Sequence, residues 1–268
     1  MKIILLTLLT IFIFADEHYA KLEPIDEITL KSEVNGKVVL AKSNLEGKVA
    51  NGVIVKIDDR LDKIDLKTSK NSLKLIEEMI KLNQNMLPLL KKSYESKKSL
   101  YLKVLPLSSS SASKKDSLYS SYINAKNQYS STKEKILNLK NQALTLKQKI
   151  ASLEDKIAKK SIKVDNKYLY SLNVKKGEYV NIGVPIATLK DISKAKLVIY
   201  LSQDELKDID KKAIYINDKK SNLKFSKIWK VADKEYISSY RAEIILKPFD
   251  RFSKLIKVDI KWYIRLVL

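Results

Sequence analysis

Residues 174–191 read VKKGEYVNIGVPIATLKD and hold two of the five glycines of a 268-residue chain. The other three, Gly36, Gly47 and Gly52, lie far upstream, where residues 46–57 read EGKVANGVIVKI. Each stretch has a glycine turn, a valine a few residues on, a second glycine and a final apolar strand. The pairs are Gly47 with Gly52 and Gly177 with Gly183. Glycine is the least costly residue where a turn needs positive φ, so Gly36, Gly47, Gly52, Gly177 and Gly183 are all predicted to be structural turn glycines. More than a hundred residues with no glycine separate the two clusters. Two similar half-units so far apart predict one β domain split by an insertion.

The insertion has its own periodicity. Leu73, Ile76, Ile80, Asn83, Leu87, Leu90, Tyr94, Lys97, Tyr101 and Val104 alternate spacings of three and four, with only Asn83 and Lys97 polar. A second seam runs through Leu118, Tyr122, Ala125, Tyr129, Thr132, Ile136, Leu139, Ala143, Leu146, Ile150, Leu153 and Ile157, with only Thr132 polar. Both are coiled-coil seams. Pro88 lies beside the first and lacks an amide, which predicts a kink. Between the seams, PLSSSSAS at 106–113 favours caps and turns, and Ser113 with Asp116 resembles a capping box with the shorter acid. Two helices of about 50–55 Å and 65–70 Å, joined by a short turn, pack as an antiparallel hairpin. Such a hairpin returns the chain to its starting point.

On either side the alternation is that of strands, over residues 28–58 and 168–189. Beyond 194, Leu197, Ile199 and Leu201 alternate in one strand, and Val258, Ile260, Trp262, Ile264 and Leu266 in the last. The residues between 203 and 209 suit one helical turn. An all-β domain of about 75 residues is most simply a small barrel, because closure removes exposed edges.

Met1-Lys2 precedes an apolar run from Ile3 to Ala15, too short to span a bilayer, which needs about 20 apolar residues. It suits the h-region of a secretory signal, with cleavage after Ala15 or Ala20; an uncleaved N-terminal anchor is the alternative. The chain has no cysteine, which excludes a disulfide scaffold, thiol chemistry and cysteine-ligated zinc. Its net charge of +21 comes from 48 lysines and four arginines spread along the sequence. Base and phosphate recognition favours arginine forks, and no aromatic residues interleave with basic ones as a stacking platform. The charge therefore speaks for solubility and loose attraction to anionic surfaces, not for a nucleic-acid partner.

The order half-domain, hairpin, half-domain, barrel resembles the periplasmic adaptor (membrane fusion protein) family of the HlyD-like type. The matching residues are VNGKV at 34–38, EGKVANGVIVKID at 46–58 and the stretch 162–197. The resemblance implies an α+β multidomain fold: a lipoyl-like β domain split by a long antiparallel α-helical coiled-coil hairpin, followed by a small β-barrel. The divisions are a signal peptide at 1–20, the first half of the lipoyl-like domain at 21–66 and the hairpin at 67–161 with its tip near 105–113. The second half follows at 162–191 and the barrel at 192–268. Two departures stand out. Gly47 to Gly52 is one residue shorter than Gly177 to Gly183, and the Ala-Pro pair that usually opens the second half is replaced by KVDNK at 163–167.

The resemblance implies a non-enzymatic role without cofactor or metal. A family member is a periplasmic subunit associated with the inner membrane, in a homo-oligomer (a hexamer or trimer of dimers). It bridges an inner-membrane transporter of RND or ABC type to a TolC-type outer-membrane channel in efflux or secretion. The family's tip motif is an arginine, a leucine four residues on and a serine seven beyond. Lys98, Leu102 and Ser109 fit that spacing, with lysine in place of the arginine's planar fork. Other candidates are weaker. His18 is the only histidine and lies beside the leader, Glu77 and Glu78 read as a solvated helix face, and Met79 and Met86 read as packing. An exported basic coiled-coil periplasmic chaperone is the rival reading, but it leaves the split glycine units unexplained.

Overall fold

The computed structural model describes residues 17–262. Its elements in chain order are β1 (Glu17–Lys31), β2 (Gly36–Ala41), β3 (Lys48–Ile57), α1 (Arg60–Val104), α2 (Ala112–Lys159), β4 (Ser161–Leu172), β5 (Tyr179–Val180), β6 (Pro185–Ser202), the single turn α3 (Gln203–Leu206), β7 (Lys212–Ile216), β8 (Lys219–Lys220), β9 (Phe225–Ile228), β10 (Ser239–Leu246) and β11 (Leu255–Trp262). Every strand pairing is antiparallel.

The two glycine clusters meet in space. Gly47 N–H donates to Leu169 O (2.9 Å), Gly177 N–H to Val38 O (2.8 Å) and Gly183 N–H to Ser32 O (2.8 Å). Glu46 Oε1 accepts from Leu172 N–H at 2.6 Å, and Asn35 Oδ1 from Ile182 N–H at 2.8 Å. Each turn of one half thus binds the backbone of the other. Their apolar residues form a single core that includes Val38, Ile54 and Ile57 from before the helices and Leu169, Val180 and Ile186 from after them. All five glycines have positive φ. At Gly36 the requirement is also steric, because a Cβ there would lie 2.6 Å from Ile57 Cγ2.

A second core, with Leu22, Leu197, Leu201, Ile244 and Val258, lies farther along β1 and β6. Both strands cross from one core to the other, so the two β units are built on one shared ribbon. The strand order is β5-β2-β3-β4-β6-β1 around the first core, and β10, β11 and β7 extend the same ribbon around the second. Among the described residues no ladder joins β9 to β7 or β8, so β8 and β9 are the edge strands of the second unit.

α1 and α2 pack against each other along the two seams. Ala125, Ile136, Leu139, Ala143 and Ile150 of α2 are buried, and the remaining seam positions of both helices are half-buried or buried, apart from exposed Lys97. Asn83 is buried on the seam and donates from Nδ2 to Met79 O at 2.7 Å, which satisfies its amide within its own helix. Glu77 is not simply a solvated charge. It pairs with Lys147 across the hairpin at 3.0 Å, as Glu154 pairs with Lys70 at 2.6 Å. Pro88 lies within α1 without ending it. α2 is capped by Ser111, whose Oγ accepts Lys114 N–H at 3.3 Å, two residues before the expected Ser113.

The elements also depart from the divisions drawn on the sequence. α1 starts at Arg60 rather than near 67, because its first seam positions include buried polar Asp62 and Ser69. β1 begins at Glu17, and its first residues pair with β11 in the second unit, not in the first. β6 runs unbroken through the boundary at 191. Residues 1–16 of the expected leader, and Ile264 and Leu266 of the expected last strand, lie outside the described residues.

Candidate functional site

The hairpin presents two unlike ends. At its base, Asp62 is buried and faces two ammonium groups. Lys156 Nζ lies 2.8 Å from Oδ1, and Lys160 Nζ donates to Oδ2 and also to Asp58 O, the latter at 2.6 Å. Burial would raise the Asp62 carboxyl, but hydrogen bonds from Lys156 and Lys160 outweigh it and hold the group below the usual carboxylate range. Neighbouring Asp59 is likewise lowered against its burial, by Lys63 at 2.9 Å and Lys56 at 3.5 Å. Asp58 is held at about 2 by the Arg60 guanidinium. These charges gather where β3 enters α1 and α2 enters β4, so they tie both helices to the β unit.

The tip is built from aromatic and aliphatic residues. Tyr94 stacks on Tyr122 (centroids 5.8 Å apart) and Tyr129 (6.0 Å), and Tyr101 stacks on Tyr122 (6.1 Å) and lies against Tyr119 (5.3 Å). Four of these tyrosines were legible as seam positions; Tyr119 was not, since it lies off the heptad. Pro106 follows the last helical residues, and Leu107 N–H donates to Val104 O at 3.1 Å in a closed turn. Leu100, Leu102, Leu105, Leu107 and Tyr119 are exposed around that turn. Contiguous exposed apolar side chains at the end of a rigid element point to contact with another molecule.

Of the three residues that fit the family's tip spacing, Lys98 and Leu102 lie one turn apart on α1. Together with Glu95, Ser99 and Lys103 they line a shallow groove of about 390 Å³. Ser109 lies apart from that groove, exposed in the turn.

Elsewhere the polar groups serve the fold. His18 Nε2 lies 2.6 Å from Glu205 Oε1, and the other Glu205 oxygen accepts Ser202 N–H at 2.7 Å to complete the capping box of α3. Among the described residues no group of three or more His, Cys, Asp or Glu is placed to hold a metal ion, and no helix is long and apolar enough to cross a membrane.

No sequence family matches the chain, and no characterised protein matches it by sequence. Solved structures do match by fold. MacA from Actinobacillus actinomycetemcomitans superposes with a TM-score of 0.64 at 18% identity, over 92% of this chain and 78% of that one. A MacA–MexA chimera carrying the α-hairpin domain of Pseudomonas aeruginosa MexA gives 0.58 at 14% identity, over 92% and 81%. The membrane fusion protein Spr0693 from Streptococcus pneumoniae R6 gives 0.55 at 10% identity, over 93% and 99%. At 10–18% identity the likeness is one of fold: with a β unit made of two sequence halves, a long helical hairpin between them and a second β unit on the same strands, this chain shares the fold of these solved structures.

Proposed function

We propose that the protein is a periplasmic adaptor subunit that bridges an inner-membrane transporter, of RND or ABC type, to a TolC-type outer-membrane channel. On this reading the first β unit is the lipoyl-like domain and the second the small β-barrel. Copies of the chain stand side by side as a homo-oligomer, a hexamer or trimer of dimers, with the hairpins projecting toward the channel. The observation that carries the reading is the insertion of the hairpin between two halves of one hydrogen-bonded β unit. That arrangement gives a helix pair of about 70 Å a fixed root, and it serves reach and direction, not catalysis.

The tip makes the channel contact, with Leu102 and its exposed leucine neighbours as the apolar part and Lys98 and Ser109 as polar contributors. A signal peptide is removed on export. Cleavage after Ala15 leaves β1 whole, whereas cleavage after Ala20 would remove Ala20 from the second core and four residues of its pairing with β11.

Deleting Leu105 to Ala112 tests the reading. The expected product retains its helical and β circular-dichroism signal but no longer captures an outer-membrane channel or supports efflux. Undiminished capture and unchanged drug or metal sensitivity would overturn it.

A further inference from the structure

The strand registers place several ends at one pole of the second β unit. Ser202 pairs with Ser239, Glu17 with Asp259, and Trp262 with Lys212. The pole therefore collects the start of β1, the end of β11, α3 and the loop between β9 and β10. The opposite end of β1 runs to the hairpin root, where Glu33 lies 3.7 Å from Lys159.

Both tryptophans of the chain are at this pole. Trp229 lies under Lys227 Nζ (4.2 Å from the ring centroid) and the Arg241 guanidinium (4.7 Å), and Trp262 under Lys212 Nζ (5.0 Å). Tyr19, Tyr236 and Trp262 are more than half exposed. In the β9–β10 loop, Val231 is 77% exposed and Ile237 86%. The loop is not a loose excursion. Asp233 Oδ1 accepts the amides of Glu235 (2.9 Å) and Tyr236 (3.3 Å), and Asp233 N–H donates to Ser239 O (2.8 Å). Internal hydrogen bonds thus hold two aliphatic side chains in water, flanked by exposed Lys230 and Lys234.

Tryptophan and tyrosine with cations beside them and aliphatic groups beyond are the composition that settles at a lipid headgroup boundary. We infer that the pole is a bilayer-docking surface, in which Val231 and Ile237 enter the acyl boundary of an anionic phospholipid membrane and the two tryptophans sit at headgroup level. The adaptor reading supplies the membrane, but the docking surface is separate from the hairpin tip and is tested without it.

The experiment uses the full chain as processed on export, mixed with phosphatidylcholine–phosphatidylglycerol vesicles. Intrinsic emission reports the pole directly, because both tryptophans lie there. Emission should shift to the blue on vesicle addition and be quenched by brominated acyl chains. The double substitution Val231→Asp with Ile237→Asp should weaken vesicle affinity about tenfold or more, while the tip deletion leaves it unchanged. Binding without quenching, binding that survives the double substitution and vanishes in high salt, or absence of binding would each overturn the inference. Protection of the tryptophans by a transporter in detergent and not by vesicles would do so too, and would make the pole a protein interface. Channel capture by the same variant separates the outcomes: retained capture with lost vesicle binding isolates the pole from the adaptor role.

Discussion

The root and the tip of the hairpin are joined by the same two helices yet held by opposite chemistry. At the root, the buried Asp62 carboxylate accepts from Lys156 and Lys160, and Lys160 also donates to Asp58 O, so charge-assisted hydrogen bonds fix both helices to the β unit. At the tip, tyrosine rings stack across the seam and leucines remain exposed. Charged hydrogen bonds are directional and costly to break when buried, whereas ring stacking tolerates sliding of the rings past each other. On the proposed reading, the contrast sets direction at the root and leaves the tip to adjust to its partner.

The sharpest way to break this contrast is Lys160→Met, which leaves Asp62 buried with only half-exposed Lys156. We expect a loss of about 3 kcal/mol in denaturant unfolding, with most of it recovered when Asp62→Leu is added. A pH titration sharpens the same point. The Asp62 carboxyl is depressed in the fold, so its stabilisation is complete above its unfolded value, about pH 4. It is lost as the pH falls through the lower folded value. Stability of the parent should drop on acidification below that point, and the Asp62→Leu, Lys160→Met pair should drop less.

Gly36→Ala comes next, at about 2 kcal/mol, since its Cβ would strike fully buried Ile57 one residue before Asp58. The effect should appear in the melting of the β unit, not of the hairpin alone. The smallest effect belongs to the tip. Tyr122→Leu removes stacking on Tyr94 and Tyr101 and should cost about 1 kcal/mol, seen as faster amide exchange in the last turns of α1 and the first turns of α2. A larger loss at Tyr122 than at Lys160 would reverse the assignment of rigid root and adaptable tip.

The sequence made the hairpin legible wherever its seam is apolar. All twelve positions of the second seam are shielded in the structure, and the regular three-four spacing carried that reading. The same rule failed at Asp62 and Ser69, where polar residues continue the seam and the helix starts at Arg60, more than three turns before the apolar pattern begins at Leu73. Ser111 was hidden among neighbouring serines with equal capping chemistry. The pairing of Glu17 with Asp259 had no local signal at all, because nothing in either short stretch names a partner on the far side of the chain. For that reason the first strand was assigned to one β unit when it serves both. At the tip, spacing brought Lys98 and Leu102 together, but the exposed leucines and Tyr119 become a surface only once the turn is closed.

The ribbon of β1 and β6 has a mechanical consequence. Between Pro24 and Asp26 the pairing shifts register, with Pro24 opposite Ala195 and Asp26 opposite Asp191. One residue on β1 therefore faces three on β6. A two-stranded ribbon is stiff against stretching and thin against bending, and this irregular step is its weakest section. Bending at this step would change the angle between the two β units as a leaf spring flexes, without parting either core.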